Sequence, residues 1–393
     1  MIYLDNSATT FPKPKEVQKA LNDVFTKYGA NPGRSGHSFS LASALKVNEV
    51  REDVADFFNV SRPEKVIFTS GCTEALNLAI LGSVQEGGHV ICTVNEHNSV
   101  LRPLFELKAK GLIDVTVAEP ENSARLTVSD IVKHIRPNTY MVCVNHVSNV
   151  DGMEAELEAI GELCAEHCIY FLVDAAQSAG HKVIDMQKQN IDFLALAGHK
   201  GLYALQGVGA LCYSAKAKLL PIKFGGTGTD SINVRQPLEA PEAFESGTIA
   251  TPAIISLGAG LKFVKEHYFE IEEKLDDLTT YLNYELRSID GVKVYTHPDN
   301  SNGVLSFNIR DMQSTDVSSI LDEKYKICSR SGLHCAPLKH KFNGTTYQGS
   351  VRLSLSYFST FTEISRTLKA IKEIAKGLLS TSSGPTILSL KYG

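Results

Sequence analysis

The 393-residue sequence lacks the segments that bring proteins to membranes or to nucleic acids. Its start has neither the basic stretch nor the apolar core of a signal peptide. Nowhere does it contain the run of about eighteen apolar residues that a membrane helix needs. The longest basic cluster, Lys339-His340-Lys341, is short, and the formal net charge is -5. We therefore expect a cytoplasmic protein with no membrane span and no nucleic-acid partner.

Cysteine is sparse as well. The eight cysteines are scattered, without the regular spacing of a disulfide framework. Cys164 and Cys168 share a helical face beside His167, but no second ligand pair lies at zinc-finger spacing, so we expect no metal site. The cysteines that lie in apolar runs, and are expected to be buried, are Cys92, Cys143 and Cys212.

Short apolar runs alternate with helical patterns from residue 65 onward. Most of the runs have a continuous apolar stretch rather than alternating apolar and polar residues, which is typical of strands that are buried on both faces of a parallel sheet. We therefore predict an α/β domain with a mostly parallel seven-stranded sheet, wrapped by helices such as 73–81 and 129–135. The predicted strands are 65–70, 89–94, 114–119, 140–147, 170–175, 193–198 and 208–214.

The pattern changes after Pro252. A long helical pattern over 254–288 leads into the strand-like runs VKVYTH, VLSFNIR, YKICSR and VRLSLS, and then into a closing helix over 362–379. This order predicts a second, smaller α+β domain with its boundary near residue 255. The end of the chain, 381–393, is predicted to be a loosely held tail.

Two of the predicted strands end in residues of complementary chemistry. Asp174 ends the strand 170–175, and Lys200 follows the strand 193–198. A lysine amine can hold pyridoxal 5'-phosphate (PLP) as a Schiff base, and a carboxylate facing the pyridine nitrogen keeps that nitrogen protonated. For each residue alone, the alternative is an ordinary loop-capping aspartate or a solvated lysine.

Further polar residues are predicted at the same edge of the sheet. Gly71 allows a tight turn before a helix that begins at Cys72 and Thr73, and the free N–H groups of such a helix start suit a phosphate. A simply capped helix is the alternative. His97 follows the strand 89–94, and Asn149 follows the strand 140–147. An isolated histidine is more often an ordinary loop residue.

The order of these motifs resembles that of the cysteine desulfurases in the class V aminotransferase family. The resemblance extends from LDNSATT, near the start, to the segment of Arg352. It implies a homodimer that uses PLP and has the fold of the type I PLP-dependent transferases. It also implies a large PLP-binding domain over 15–255 and a small domain over 1–14 and 256–380. The motifs are SGCTEA, NEHNS, SNVDG, DAAQSAGH, GHKG, FESGTIAT, RSGLHCA and VRLSLS.

The resemblance implies a role for each candidate residue. Lys200 matches the Schiff-base lysine, and Asp174 matches the partner of the ring nitrogen. Gln177 would bind the phenolic oxygen of the cofactor, and His97 would stack on its ring and move protons. The residues implied in phosphate binding are Cys72, Thr73, His199 and, from the neighbouring subunit, Thr248. Those implied in binding the substrate carboxylate are Asn149 and Arg352, of which the arginine offers a guanidinium fork.

Cys335 decides the implied reaction. It lies in RSGLHCA, which resembles the R-x-G-x-H-C-A signature of the second, selenocysteine lyase-like group of desulfurases. The implied role of its thiolate is to take sulfur from PLP-bound L-cysteine as a persulfide, which releases L-alanine. Arg330 and His334 are candidates for lowering the pKa of this thiol. Without the resemblance, a loop cysteine is more often inert.

Two positions depart from the family pattern. Ala197 stands where many relatives have a serine, and Cys72 replaces a hydroxyl residue, so a phosphate hydrogen bond worth about 1 kcal/mol net would be lost. Thr227 and Thr229 are candidates for replacing it.

Alternative functions also remain open. L-selenocysteine is an alternative substrate, and a sulfur-acceptor protein is an expected partner. Transamination would leave Cys335 without a chemical role. A catalytically silent binding partner would not need the retained site residues.

Overall fold

Strands and helices alternate along most of the chain. The computed structural model describes residues 1–33, 36–121, 124–229 and 231–377. The strands are β1 (Ile2–Tyr3), β2 (Val66–Thr69), β3 (Gly88–Thr93), β4 (Ile113–Ala118), β5 (Arg125–Leu126), β6 (Thr139–Asn145), β7 (Glu154–Ala155), β8 (Tyr170–Asp174), β9 (Phe193–Ala197), β10 (Gly209–Tyr213), β11 (Val292–Val294), β12 (Val304–Ile309), β13 (Ile327–Cys328) and β14 (Val351–Ser354). The helices are α1 (Lys15–Lys27), α2 (Ser38–Phe57), α3 (Cys72–Gly82), α4 (Asn98–Ala109), α5 (Val128–Val132), α6 (Leu157–Glu166), α7 (Thr251–Arg287), α8 (Ser314–Tyr325), α9 (Pro337–Phe342) and α10 (Phe361–Ala375), with a 3-10 turn at Pro63–Lys65.

Within the described residues, seven strands form the central sheet, in the order β2–β10–β9–β8–β6–β3–β4. β10 is antiparallel to both of its neighbours, and the other neighbouring pairs are parallel. Separate apolar clusters pack against the two faces, so most of these strands are buried along their whole length. The prediction of a mostly parallel seven-stranded α/β sheet is confirmed, and each predicted run overlaps one of its strands.

The register of the sheet places polar strand ends side by side. Asn145, the last residue of β6, lies opposite Asp174, the last residue of β8. Asp174 in turn lies opposite Ala195 in β9, the strand that leads to Lys200. Because parallel strands present their carboxyl ends at one edge, this register collects the candidate site residues there.

The C-terminal part of the chain has an apolar cluster of its own. An antiparallel sheet, β11–β12–β14, lines it, and the N-terminal strand β1 pairs with β13 close by. Residues of α7 contribute both to this cluster and to one on the central sheet. The division into domains at residue 255 stays a prediction, and the predicted tail, 381–393, lies outside the described residues.

Two helices differ from their predicted ranges. The pattern over 129–135 predicts a longer helix than α5, which begins at a capping box of Thr127 and Asp130 and ends at Val132. Pro137 follows soon afterwards and disfavours helical backbone at the residue before it. The closing helix forms as α10 but ends at Ala375, before the predicted end at 379, which itself lies outside the described residues. No helix in the described ranges is long and apolar enough to cross a membrane.

Candidate active site

A cavity of about 280 Å³ opens at the carboxyl edge of the central sheet. It collects most of the side chains that the sequence analysis singled out. Cys335 lines a neighbouring cavity of about 920 Å³, which shares Thr73 and His97 with the first. The predicted site residues that line the first cavity are Cys72, Thr73, His97, Asn149, Asp174, Gln177, His199 and Lys200.

Asp174 is the anionic centre of the cavity. It is 3% exposed, and its carboxylate accepts hydrogen bonds on both oxygens. The backbone N–H of Ala176 donates to Oδ1 at 2.9 Å, and the thiol of Cys72 donates to the same oxygen at 3.4 Å. Asn145 Nδ2 donates to Oδ2 at 3.4 Å. These donors hold the carboxylate in a fixed orientation at the end of β8.

The environment of Lys200 favours a reactive amine. Burial lowers the pKa of its ammonium group, although the charge of Asp174 opposes this shift. A lysine with a lowered pKa is more often unprotonated, and only the unprotonated amine attacks an aldehyde. Asp174 and Lys200 thus supply a carboxylate and a nucleophilic amine to one buried space.

The main chain just before Lys200 is held by the N-terminal segment, to which the sequence analysis assigned no role in the site. The hydroxyl groups of Thr9 and Thr10 donate to the carbonyl oxygen of His199 at 3.2 and 3.1 Å, and Lys13 Nζ donates to it at 2.8 Å. Thr10 Oγ1 also lies 3.0 Å from the carbonyl oxygen of Lys200. Burial lowers the pKa of Lys13 to about 8.

His97 lies at the start of α4 and is held by that helix. The backbone N–H of Ser99 donates to its Nδ1 at 3.1 Å. Burial lowers the pKa of His97, which favours the neutral ring. Because Nδ1 accepts the Ser99 N–H, the proton of a neutral ring lies on Nε2. Ser99 Oγ lies 2.9 Å from Thr73 Oγ1, which connects this loop to the start of α3.

The cavity fits PLP. Gly71 precedes α3 and has no side chain to cap it, which leaves the first N–H groups of this helix for a phosphate. His199 Nδ1 is buried and has no hydrogen-bond partner among the described residues. Burial lowers the pKa of His199 to about 4, so its ring is neutral. Lys200 and Asp174 provide the groups that the aldehyde and the ring nitrogen require.

Arg352 lies in β14, behind Asn149. It is 1% exposed, and burial lowers the pKa of its guanidinium to about 10. Its Nη2 donates to Asp5 Oδ1 at 2.8 Å, and its Nη1 donates to the carbonyl oxygen of Asn149 at 3.0 Å. Within the part of the chain that the structure describes, its Nε and the side-chain oxygen of Asn149 are buried without a partner. Both groups therefore retain hydrogen-bonding capacity.

Cys335 is exposed, in a turn just before α9. Its carbonyl oxygen accepts a hydrogen bond from the backbone N–H of Asn98 at 2.7 Å. The preceding His334 is buried, and this burial lowers its pKa to about 2. His334 is therefore neutral and adds no positive charge beside the thiol, so it does not act as the sequence suggested.

The remaining predicted residues lie elsewhere. Thr248 is exposed and lines an adjoining cavity near Ser70. Thr227 and Thr229 line a different cavity, where their hydroxyl groups lie 3.2 Å apart. Ala197 lines the cavity of Lys200. Thr227 and Thr229 are therefore not placed to replace a phosphate hydrogen bond beside the Ala197 of their own chain. In the described ranges, no three histidine, cysteine or acidic side chains are grouped as metal ligands.

Glu96 is a buried acid that the sequence analysis missed. Its Oε1 accepts hydrogen bonds from the hydroxyl of Thr93 at 2.6 Å and from the backbone N–H of Asn145 at 2.9 Å. Burial, more than the nearby charge of Asp174, raises the pKa of Glu96 to about 8. Its only signal in the sequence was its place beside His97 in NEHNS, and nothing there indicated burial.

The class-V aminotransferase family model matches residues 2–367 of this chain. A probable cysteine desulfurase of Methanothermobacter thermautotrophicus is 36% identical over 382 residues, which cover 95% of this chain and 94% of the relative. A probable cysteine desulfurase of Pyrococcus abyssi is 34% identical over 395 residues, covering 97% and 96% of the two chains.

Solved structures share the fold. The apo structure of a cysteine desulfurase from Thermococcus onnurineus superposes with a TM-score of 0.89 and 33% identity, covering 96% of this chain and 95% of the other. A cysteine desulfurase of Escherichia coli in an S-sulfonic acid form gives a TM-score of 0.85 with 26% identity, at 96% and 95% coverage. The predicted fold type is confirmed. Because the family match spans nearly the whole chain and these relatives match over almost their full length, the chain belongs to the cysteine desulfurases of the class-V aminotransferase family.

Proposed function

We propose that this chain is a PLP-dependent cysteine desulfurase, which converts L-cysteine to L-alanine and holds the released sulfur on Cys335 as a persulfide. The observation that carries the proposal is the place of Cys335. Its exposed thiol lies on a cavity that shares Thr73 and His97 with the cavity of Lys200. Relatives named as cysteine desulfurases support the same activity.

The residues around the first cavity would hold the cofactor. The N–H groups at Cys72 and Thr73 and the ring of His199 would bind the phosphate, and Asp174 would face the ring nitrogen. Gln177, whose Nε2 donates to the carbonyl oxygen of Ser7 at 3.1 Å, would bind the phenolic oxygen. Lys200 would hold PLP through its amine until the amine of the amino acid replaces it, and PLP would then supply an electron sink for the α-carbon of that amino acid.

Substrate binding would use the hydrogen-bond donor of Arg352 that has no partner among the described residues. Arg352 is oriented by Asp5 and by the Asn149 carbonyl, and its Nε points to no described acceptor. A substrate carboxylate would accept from this guanidinium and would gain a charge-assisted hydrogen bond in a buried place. A change at Arg352 should therefore weaken substrate binding rather than remove the cofactor.

Proton transfer and sulfur transfer fall to different residues. Neutral His97, with its proton on Nε2, and the free amine of Lys200 can exchange protons near the substrate. The Cys335 thiolate would attack the substrate sulfur, which forms the new S–S bond as the C–S bond breaks. The carbon that loses sulfur gains a proton and becomes the methyl group of alanine.

A homodimer and a sulfur acceptor belong to the same proposal. Thr248 would reach the phosphate of the neighbouring subunit, and the exposed apolar side chains of Ile232 and Val234 would be covered by that subunit. The exposed position of Cys335 would leave its persulfide open to the thiol of an acceptor protein. We place the enzyme in the cytoplasm, where thiols stay reduced.

The test is to incubate the PLP-loaded protein with L-cysteine and to measure alanine, sulfide and a persulfide on Cys335 by mass spectrometry. Borohydride reduction and peptide mapping should place the cofactor on Lys200. L-selenocysteine serves as a second substrate arm. Alanine formation from selenocysteine alone would make the protein a selenocysteine lyase, and a cofactor label on another lysine would overturn the assignment.

A further inference from the structure

A buried ion pair lies beneath the turn that carries Cys335. Lys339 Nζ is 2.9 Å from Asp151 Oδ2, and the side chains are 0% and 2% exposed. Lys339 belongs to α9, which begins two residues after Cys335, and Asp151 belongs to the turn after Asn149. Burying two charges carries a desolvation penalty that a pair of apolar side chains would avoid. Such a pair therefore needs a reason other than stability.

The pair connects the loops that build the site. Asp151 Oδ2 also accepts a hydrogen bond from Asn343 Nδ2 at 3.2 Å, which holds the end of α9 on the same carboxylate. Lys339 Nζ lies 3.7 Å from the sulfur of Met153, and Asn95 Nδ2 lies 3.3 Å from that sulfur. Asn95 precedes His97 by two residues. The ion pair thus includes a residue of the Asn149 turn and reaches the His97 loop through the sulfur of Met153.

The turn above the pair has an uncommon backbone. His334 and Cys335 have φ angles of 49° and 59°, a left-handed conformation that side chains with a Cβ disfavour. Two successive residues keep this conformation only where the surroundings hold them. Asn149 Nδ2 donates to the carbonyl oxygen of His334 at 2.7 Å, and the Asn98 N–H donates to that of Cys335. One donor belongs to the turn of Asp151, and the other follows the His97 loop, which the ion pair reaches through Met153.

We propose that Asp151 and Lys339 are positioning residues that hold the Cys335 turn against the Asn149 and His97 loops, so that the thiol is aligned for attack on the substrate sulfur. This inference rests on the proposed desulfurase function. Neither side chain lines the cavity of Asp174 and Lys200. The pair should therefore affect sulfur transfer and leave the preceding reaction of L-cysteine with the cofactor unchanged.

Three variants separate positioning from stability: Lys339→Met, Asp151→Asn and the double variant with both changes. Each single variant leaves one buried group without its charged partner and should lower the melting temperature. The double variant leaves no unpaired buried charge, so its melting temperature should return most of the way to the wild-type value. Lys188→Met, which removes the lysine of an exposed ion pair with Glu158, is the matched control.

The expected result for the double variant is a split between two readouts. The change in cofactor absorbance after addition of L-cysteine should keep its wild-type rate and its wild-type dependence on cysteine concentration. Formation of alanine and of the Cys335 persulfide should fall about tenfold to a hundredfold, as expected for a displaced reacting group. The control variant should match the wild type in both readouts.

Three other results have distinct meanings. A double variant that transfers sulfur at the wild-type rate would overturn the inference, because the pair would then matter for folding alone. An equal fall in both readouts would also overturn it, because the effect would then extend to the cofactor site. Failure of the wild-type protein to form any persulfide on Cys335 would instead contradict the proposed function.

Discussion

Glu96 shows how one residue can shape the charge of the site. Its carboxyl group is fully buried, and its Oε2 has no hydrogen-bond partner in the described ranges. Because its pKa is raised to about 8, Glu96 is mostly protonated at neutral pH. It supports Asn145, whose side chain holds Asp174, without adding a second negative charge beneath the cofactor. A second buried carboxylate there would repel Asp174.

The raised pKa of Glu96 predicts a pH-dependent difference in stability. Its pKa is about 8 in the folded protein and near its ordinary value of 4.5 in the unfolded chain. Between these values the folded state binds more protons, so this group lowers the free energy of unfolding as pH rises. The variant Glu96→Gln lacks this effect. Its melting temperature relative to the wild type should therefore increase steadily from pH 5 to pH 8.

The control is Glu158→Gln, which removes one carboxylate from an exposed side chain. The difference between this variant and the wild type should change little over the same range. If Glu96→Gln also gave a constant difference from pH 5 to pH 8, Glu96 would be ionised throughout, and the account of its neutral role would be wrong.

At the scale of elements, the N-terminal segment joins the two sides of the site. β1 pairs with β13, and Asp5 orients Arg352 on the substrate side. Thr10 and Lys13 hold the main chain before Lys200 on the cofactor side. The first residues of the chain therefore position groups that lie far away in the sequence.

This arrangement predicts that Lys13→Met lowers turnover while cofactor content stays at its wild-type value. The variant removes the 2.8 Å hydrogen bond to the His199 carbonyl but no group that would touch PLP. The loss of orientation should cost about tenfold in kcat, by analogy with other displaced catalytic groups. Lys15→Met, on an exposed neighbour, is the control and should turn over normally. Wild-type kcat in Lys13→Met would show that the contact is dispensable.

The elements of the central sheet were predictable because burial leaves a direct trace in the sequence. The stretches 170–173 and 193–197 are apolar at every position, and the residues that follow them, such as Asp174 and Lys200, then fall at one edge of the sheet. Residues that act through tertiary contacts left no such trace. Lys13 and Lys339 look like surface lysines in the sequence, and their burial depends on segments more than a hundred residues away.

The motifs likewise predicted which residues meet but not how they are oriented. His334 stands beside Cys335 in the sequence, yet its ring turns to the Ser350 carbonyl at 3.1 Å and is neutral. Cys72 differs from the family pattern, and in the structure its thiol donates a hydrogen bond to Asp174 Oδ1 at 3.4 Å. The orientation of a side chain depends on backbone angles and on packing, and neither can be read from the adjacent residues of the sequence.

At the scale of the whole molecule, the long connection from β10 to α7 predicts a dimer. The side chains of Phe224, Ile232 and Val234 on this connection are 72%, 97% and 100% exposed, which is unfavourable for a monomer in water. Sedimentation of the wild type should therefore give the mass of two chains. The double variant Ile232→Asp with Val234→Asp should shift towards one chain and should lose activity with it.

Phe269→Asp provides the control, because this phenylalanine is 82% exposed but lies on α7, away from the connection. It should remain a dimer. A wild-type protein that is fully active as a monomer would contradict both the dimer and the role of Thr248 in the site of a neighbouring subunit.

The central claim is that Cys335 takes sulfur from L-cysteine, and the most direct measurement is alanine formation by Cys335→Ala. Binding of cysteine and the first change in cofactor absorbance depend on Lys200 and Arg352, so both should persist. Alanine formation should fall by about a hundredfold or more, because the nucleophile is gone. Cys168→Ala, on another exposed cysteine, should keep wild-type activity. If Cys335→Ala formed alanine from L-cysteine at the wild-type rate, Cys335 would have no part in the reaction.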